Sequence, residues 1–206
     1  AKGGTKVLLF FFPVLNERTG TYMKRLILFT IIFAIGCEDT DNYSENHNSN
    51  LLFVSSEGTY GNGDGSISVF NDNEMIQTVE EVGDVVQSII VNNDHLFVII
   101  NNSHKIKRYT ITEYGLNLPG IDIETSDSSP REMVIVDDKL YFTNWNSRDV
   151  KVLDLVTYSI VSAITLDGVP EDIVSDGDFL WVSIPMLELY DGNNGSSVLK
   201  LSLIHI

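Results

Sequence analysis

The chain has a single cysteine, Cys37, among 206 residues. One thiol cannot form an internal disulfide, and it excludes a Cys-rich zinc site or a paired-thiol redox motif. Basic residues are also scarce, with 13 Lys and Arg against 29 Asp and Glu for a net charge of −16. Lys2, Lys6, Arg18, Lys24 and Arg25 all precede Cys37, which leaves 28 acids against 8 bases after it, a net charge of −20. Such a field repels a phosphate backbone, so nucleic acid is excluded as a partner, whereas cations and basic or neutral ligands are not. Long apolar runs are missing as well: Leu26 to Gly36 spans 11 residues, against the roughly 20 a transmembrane helix needs. Gly-x-Ser-x-Gly elbows, phosphate-cradling loops and haem-attachment motifs do not occur, and His47, His95 and His104 have no metal-binding spacing. The sequence therefore shows no machinery for nucleophilic catalysis, and the chain reads as a non-enzymatic protein.

The N-terminal part reads as an address. Residues 1–22 contain no methionine and precede Met23-Lys24-Arg25, a basic stretch followed by the short apolar run and then by small residues before Cys37. Residues 1–22 are read as upstream read-through, and 23–37 as a signal peptide. Ala34-Ile35-Gly36-Cys37 resembles the bacterial lipobox, which implies lipidation of Cys37 and a membrane attachment through the lipid alone. Residues 38–50, rich in Asn, Ser and acids, have too few apolar side chains to pack and read as a flexible, disordered tether. Its acidic start, Glu38-Asp39-Thr40-Asp41, resembles the surface-export signal of Bacteroidetes lipoproteins. At the other end, residues 201–206 match the translated mosaic end of a transposase-based sequencing adapter, so the native protein is expected to continue beyond them.

Between these ends the chain repeats. Leu52-Phe53-Val54, Leu96-Phe97-Val98, Leu140-Tyr141-Phe142 and Leu180-Trp181-Val182 begin 44, 44 and 40 positions apart. A short apolar strand and a tight turn, such as Asn92-Asn93-Asp94 or Asp137-Asp138, come before three of them. A polar loop and an alternating strand follow each one. This spacing and period-2 patterning predict all-β units of four short antiparallel strands, the repeat length of a propeller blade.

The stretch from Leu140 to Asp154, LYFTNWNSRDVKVLD, resembles the signature of YVTN-repeat, YncE-like propellers, and Pro170-Glu171-Asp172-Ile173-Val174 sits where that family begins its innermost strand. The resemblance covers residues 51–200 and implies a partial β-propeller of about three to four blades, in a family whose members commonly close with seven.

In such a blade, the loop entering the innermost strand and the loop between strands two and three share one rim. On that rim Tyr60 and Trp145 are candidates to stack on a planar ligand, with Arg131, Asn101, Asn144 and Asn146 orienting it by hydrogen bonds. The alternatives are packing for Trp145 and turn chemistry for the asparagines. Glu132, Glu171 and Asp172 offer oxygen ligands for a cation such as calcium, or else bond backbone amides between blades, and the second reading is preferred. No resident cofactor is expected. The resemblance implies a surface-exposed outer-membrane lipoprotein of the cell envelope that binds a small-molecule nutrient or an envelope protein. In its most specific form it captures a corrinoid for an outer-membrane transporter. The alternatives are an adhesion module or a propeller enzyme, quinoprotein- or lactonase-like, with a cation site at the channel.

Overall fold

A computed structural model describes residues 51–190 and 194–203. The expected upstream segment, the signal peptide with Cys37, the tether and residues 204–206 lie outside the described residues. All described strands fall in one of two compact units, Asn48–Ile206. They are β1 (Leu51–Ser56), β2 (Gly65–Asn71), β3 (Glu74–Gly83), β4 (Val86–Asn92), β5 (His95–Ile100), β6 (Lys105–Thr112), β7 (Gly115–Glu124), β8 (Pro130–Val136), β9 (Lys139–Asn144), β10 (Asp149–Asp154), β11 (Ser159–Thr165), β12 (Ile173–Ser175), β13 (Phe179–Met186) and β14 (Asn194–Ser202). No α-helix occurs among the described residues.

The strands form four antiparallel sheets in chain order: β1-β2-β3, β4-β5-β6-β7, β8-β9-β10-β11 and β12-β13-β14. The expectation of four strands per unit holds for the two central sheets. Among the described residues the end sheets have three: the first lacks the strand inside β1, and the last lacks the strand outside β14. Tight turns close the hairpins where the sequence predicts them, with Asn93 and Asp137 both at φ 52°. Asn and Asp tolerate that left-handed backbone because their short polar side chains bond locally.

Apolar clusters glue each sheet to the next. Ile67, Val69 and Val79 meet Leu96, Val98 and Tyr109 between the first and second sheets. Phe97, Ile99 and Ile106 then meet Leu140, Phe142 and Leu153. Tyr141, Val150 and Val152 meet Ile173, Leu180, Val182 and Ile184. The triplets explain this pattern, because neighbouring residues of a strand point to opposite faces. The outer two residues of each triplet face the preceding sheet, and the middle aromatic faces the following one. Burying each such side chain fully stabilises by about 1.5–3 kcal/mol.

Each central sheet begins with an irregularity. The register of β4 against β5 shifts between Val86 and Ser88, and that of β8 against β9 between Pro130 and Met133. Val86-Gln87-Ser88 and Pro130-Arg131-Glu132 are therefore bulged strand starts. A bulge turns side chains away from strict alternation and accommodates Pro130, which has no backbone N–H to donate.

Candidate functional site

Two bulged strand starts and the segment just before β12 each contribute one side chain to a single chain of contacts. Gln87, Arg131 and Glu171 stand at the same phase of the repeat, 44 and 40 residues apart. Arg131 Nη1 donates to Gln87 Oε1 at 2.7 Å, while its Nε and Nη2 donate to Glu171 Oε1 at 3.2 and 2.6 Å. Trp145 Nε1 donates to Glu171 Oε2 at 2.7 Å, and the Arg131 guanidinium lies 4.0 Å from the centre of the Trp145 ring. Tyr190 meets Trp145 edge-on, with ring centroids 6.3 Å apart at 90°. Both carboxylate oxygens of Glu171 and three nitrogens of Arg131 are thus engaged within the protein. The charges fix the base of the site, and aromatic surface is what remains for a ligand. Tyr190 is 82% exposed.

Two loops are held in place by a repeated backbone latch. Asn101 N donates to Val85 O at 2.8 Å and Asn102 N to Asp84 O at 3.1 Å. One repeat later, Trp145 N donates to Ser129 O and Asn146 N to Ser128 O, both at 3.0 Å. The accepting positions bend backward: Val85 has φ 63° and Ser129 φ 52°. A β-branched residue in that region is strained by about 1–3 kcal/mol. The latch is what holds it, and it also fixes the direction in which Trp145 leaves the strand.

The expected rim residues separate into distinct environments. Arg131, Trp145 and Glu171 come together as described. Glu132 accepts from Ser88 Oγ at 2.7 Å, another bond between adjacent sheets, and Asp172 Oδ1 accepts from the backbone N of Ile173 at 2.8 Å. Asn101 Nδ2 donates to Pro130 O at 2.9 Å, tying one sheet to the next. Asn146 is exposed and donates to Asp127 O at 3.1 Å. Tyr60 stands 76% exposed in the β1–β2 loop. That loop is pinned by Asp64 Oδ1, which accepts from Thr59 N at 2.5 Å, and by Asp84 Oδ1, which accepts from Gly61 N at 2.9 Å. Gly58 allows the turn, having φ 81° and leaving only 2.6 Å between an added Cβ and Gly65 N.

Asn144 is displaced from the rim to the interior. Its side chain is fully buried, its Nδ2 donates to Asp149 Oδ1 at 2.9 Å and Phe142 O at 3.1 Å, and its Oδ1 accepts from Ser128 Oγ at 2.6 Å. It orders the loop from inside instead of offering an amide to a ligand. Among the described residues no group of three or more His, Cys, Asp or Glu side chains is placed to hold a metal ion. The calcium alternative therefore has no cluster there. Sequence reasoning passed over Gln87 and Tyr190. The phase of Gln87 with Arg131 and Glu171 is a signal that was present, whereas nothing in the sequence marks the Tyr190 contact.

No known family profile matches the chain, and no curated protein does. Solved structures do resemble it. The β-propeller domain of Cps50 (Swd1) from Myceliophteria thermophila is 11% identical over 69% of this chain and 45% of its own, with a TM-score of 0.54. A protein from Lactobacillus plantarum is 18% identical over 73% and 54%, with a TM-score of 0.52. A luciferin-regenerating enzyme is 11% identical over 77% and 62%, with a TM-score of 0.54. The chain thus spans 45–62% of the length of these neighbours. At such identities the likeness concerns the fold alone. Taken with the four phased sheets, it shows that the described residues form part of a β-propeller.

Proposed function

We propose that the chain is a non-enzymatic binding lipoprotein of the cell envelope. It is anchored in the outer membrane through Cys37 and displayed at the surface, where its propeller rim captures a small-molecule nutrient or an envelope partner. Its most specific form is a corrinoid-capturing protein that hands its ligand to an outer-membrane transporter. The observation that carries this reading is the aromatic pair Trp145 and Tyr190, standing on a base whose ionic groups are already paired with each other. A preorganised, half-exposed aromatic surface suits a planar or amide-rich ligand and needs little reordering on binding. The excess of acids after Cys37 favours neutral or cationic ligands over anionic ones.

Calorimetric titration of the chain with corrinoids tests the proposal. Saturable binding is expected, weakened by about two- to tenfold in Tyr190→Ala and in Trp145→Ala, the range that an aromatic contact accounts for. Absence of heat with every corrinoid removes the specific form. Undiminished affinity in both variants removes the rim as the binding surface.

A further inference from the structure

The segment that joins β7 to β8 enters left-handed backbone at Ser126, Asp127 and Ser129, with φ 61°, 53° and 52°. Such conformations persist where surrounding bonds hold them. This segment in turn holds the Trp145 loop, Ser129 O accepting from Trp145 N and Ser128 O from Asn146 N. Ser129 is itself held by an imidazole of the preceding sheet. His104 Nδ1 accepts from the backbone N of Ser129 at 3.1 Å, and Ser129 Oγ stands 3.4 Å from the same nitrogen. The His104 backbone, at φ 54°, is fixed as well: its N donates to Asn101 O at 3.2 Å, and its O accepts from Thr125 N at 3.0 Å and Thr125 Oγ1 at 2.6 Å. His104 stands at the phase of Arg148, 44 residues on and likewise left-handed at φ 51°, whose guanidinium reaches Glu188. From this phase a side chain ties its own sheet to the next.

We propose that His104 is a positioning residue of the rim and makes it sensitive to acid. Its neutral ring pins Ser129 and, through Ser129, the direction of Trp145; on taking a proton it releases both. Nδ1 accepts from the Ser129 N–H in the tautomer that carries its proton on Nε2. In the imidazolium both nitrogens are donors, so an N–H then faces an N–H. Ser129 Oγ can turn to accept the new proton, yet the amide is left without its acceptor in a residue that is 9% exposed. A buried donor stripped of its acceptor shifts the local equilibrium by about five- to 150-fold toward the open loop. Histidine ordinarily changes charge between about pH 5 and 8, whereas lysine, arginine and carboxylates ordinarily hold theirs. The charged groups on the surrounding elements are of the latter kinds. Lys105 and Lys107 pair with Asp122 at 3.1 and 3.2 Å, and Lys105 with Glu124 at 3.6 Å. Lys151 donates to Thr125 O at 3.2 Å and lies 3.8 Å from Asp149. Asp84 accepts from Gly61 N and Asn102 Nδ2, Arg131 pairs with Glu171, and Glu132 accepts from Ser88. Exposed Asp127 belongs to the same left-handed segment as Ser129. The consequence for a ligand rests on the rim reading above: acid loosens the loop that presents Trp145.

Amide hydrogen exchange of the whole chain, followed by NMR and corrected for the intrinsic rate at each pH, tests this without any ligand. Failure of corrinoid binding and failure of this inference are therefore read separately. Protection of the Trp145 and Asn146 amides is expected to fall by about fivefold or more between about pH 7.5 and about pH 5.5. His104→Asn places an amide oxygen where Nδ1 stood, tolerates the left-handed backbone and takes no proton. It should keep the wild-type protection at the upper pH and show no fall at the lower one. His104→Gly relaxes into the same φ but offers no acceptor, and should show the reduced protection at both. Unchanged protection in wild type on acidification overturns the inference. So does a fall that persists in His104→Asn, which would place the titrating group elsewhere. Full protection in His104→Gly refutes the positioning role.

Discussion

Replacing Asn144 by alanine separates the structural part of the rim from the binding part. The substitution removes an amide that is 0% exposed and bonds Ser128, Phe142 and Asp149. Ser128 loses its acceptor at 2.6 Å, and Asp149 loses one of the two donors to its Oδ1, keeping Ser147 Oγ at 2.7 Å. A buried group left without its partner costs about 1–3 kcal/mol. One orphaned hydroxyl and one half-satisfied carboxylate therefore amount to about 3 kcal/mol. Urea unfolding, followed by tryptophan fluorescence and circular dichroism, reads this directly. With a slope of about 1–3 kcal/mol per M, the midpoint should fall by about 1–3 M. Asn144→Asp sharpens the test, because it sets a second carboxylate where an N–H had pointed at Asp149. It should be at least as destabilising at neutral pH, because two carboxylates at one buried site repel each other. A midpoint shift under about 0.3 M in the alanine variant, with an unchanged slope, would mean that the amide is solvated and that the interior assignment is wrong.

Equivalent triplet positions should respond unequally in this chain: Leu140→Ala, at a 0% exposed position, is expected to cost about 2–5 kcal/mol, while Leu52→Ala, at a 56% exposed one, should stay within about 0.5 kcal/mol. Equal costs would contradict the sheet-to-sheet packing. The Trp181 indole N–H donates to Asp176 Oδ2 at 2.8 Å and, with the backbone N–H of Phe179, holds that carboxyl below its ordinary value of 3.8. A depressed folded value means that the stabilisation is complete above 3.8 and is lost as pH falls through the lower folded value. Trp181 emission should therefore change in that acid range in wild type and not in Asp176→Asn; a change persisting in the variant would exclude this bond as its source. Cys37→Ala should move the chain from the membrane fraction to the soluble one, and unchanged fractionation would refute lipidation.

The repeat made the fold legible because the triplets carry two independent signals, spacing and alternation. Spacing set the units, and alternation decided which side chains face which neighbour. The same two signals place Asn144, although its residue type points elsewhere. It follows Leu140 and Phe142 at intervals of two, so it shares their buried face. It also occupies the phase held by Ile100 and Ile184, both buried. Position outweighed chemistry there: an amide in a slot built for isoleucine must find its partners inside the sheet, and Ser128 and Asp149 supply them. Where bulges break alternation, the sequence is harder to read. At Pro130 to Met133 the chain loses its two-residue rhythm, and Arg131 turns toward Glu171 and Gln87 on neighbouring sheets.

That turn alters the chemistry expected of the rim. As free side chains, Arg131 and Glu171 would be a cation and an anion available to a ligand. Linked at 2.6 Å, with Gln87 and Trp145 taking further bonds, they cancel each other and fasten three sheets together. Breaking the link to bind a charged ligand would expose an unpaired half-buried charge, which costs more than an exposed ion pair is worth. A ligand at this site therefore gains most by covering the rings of Trp145 and Tyr190 and leaving the salt bridge intact. Selectivity should then follow ring area and shape, and binding should depend weakly on salt.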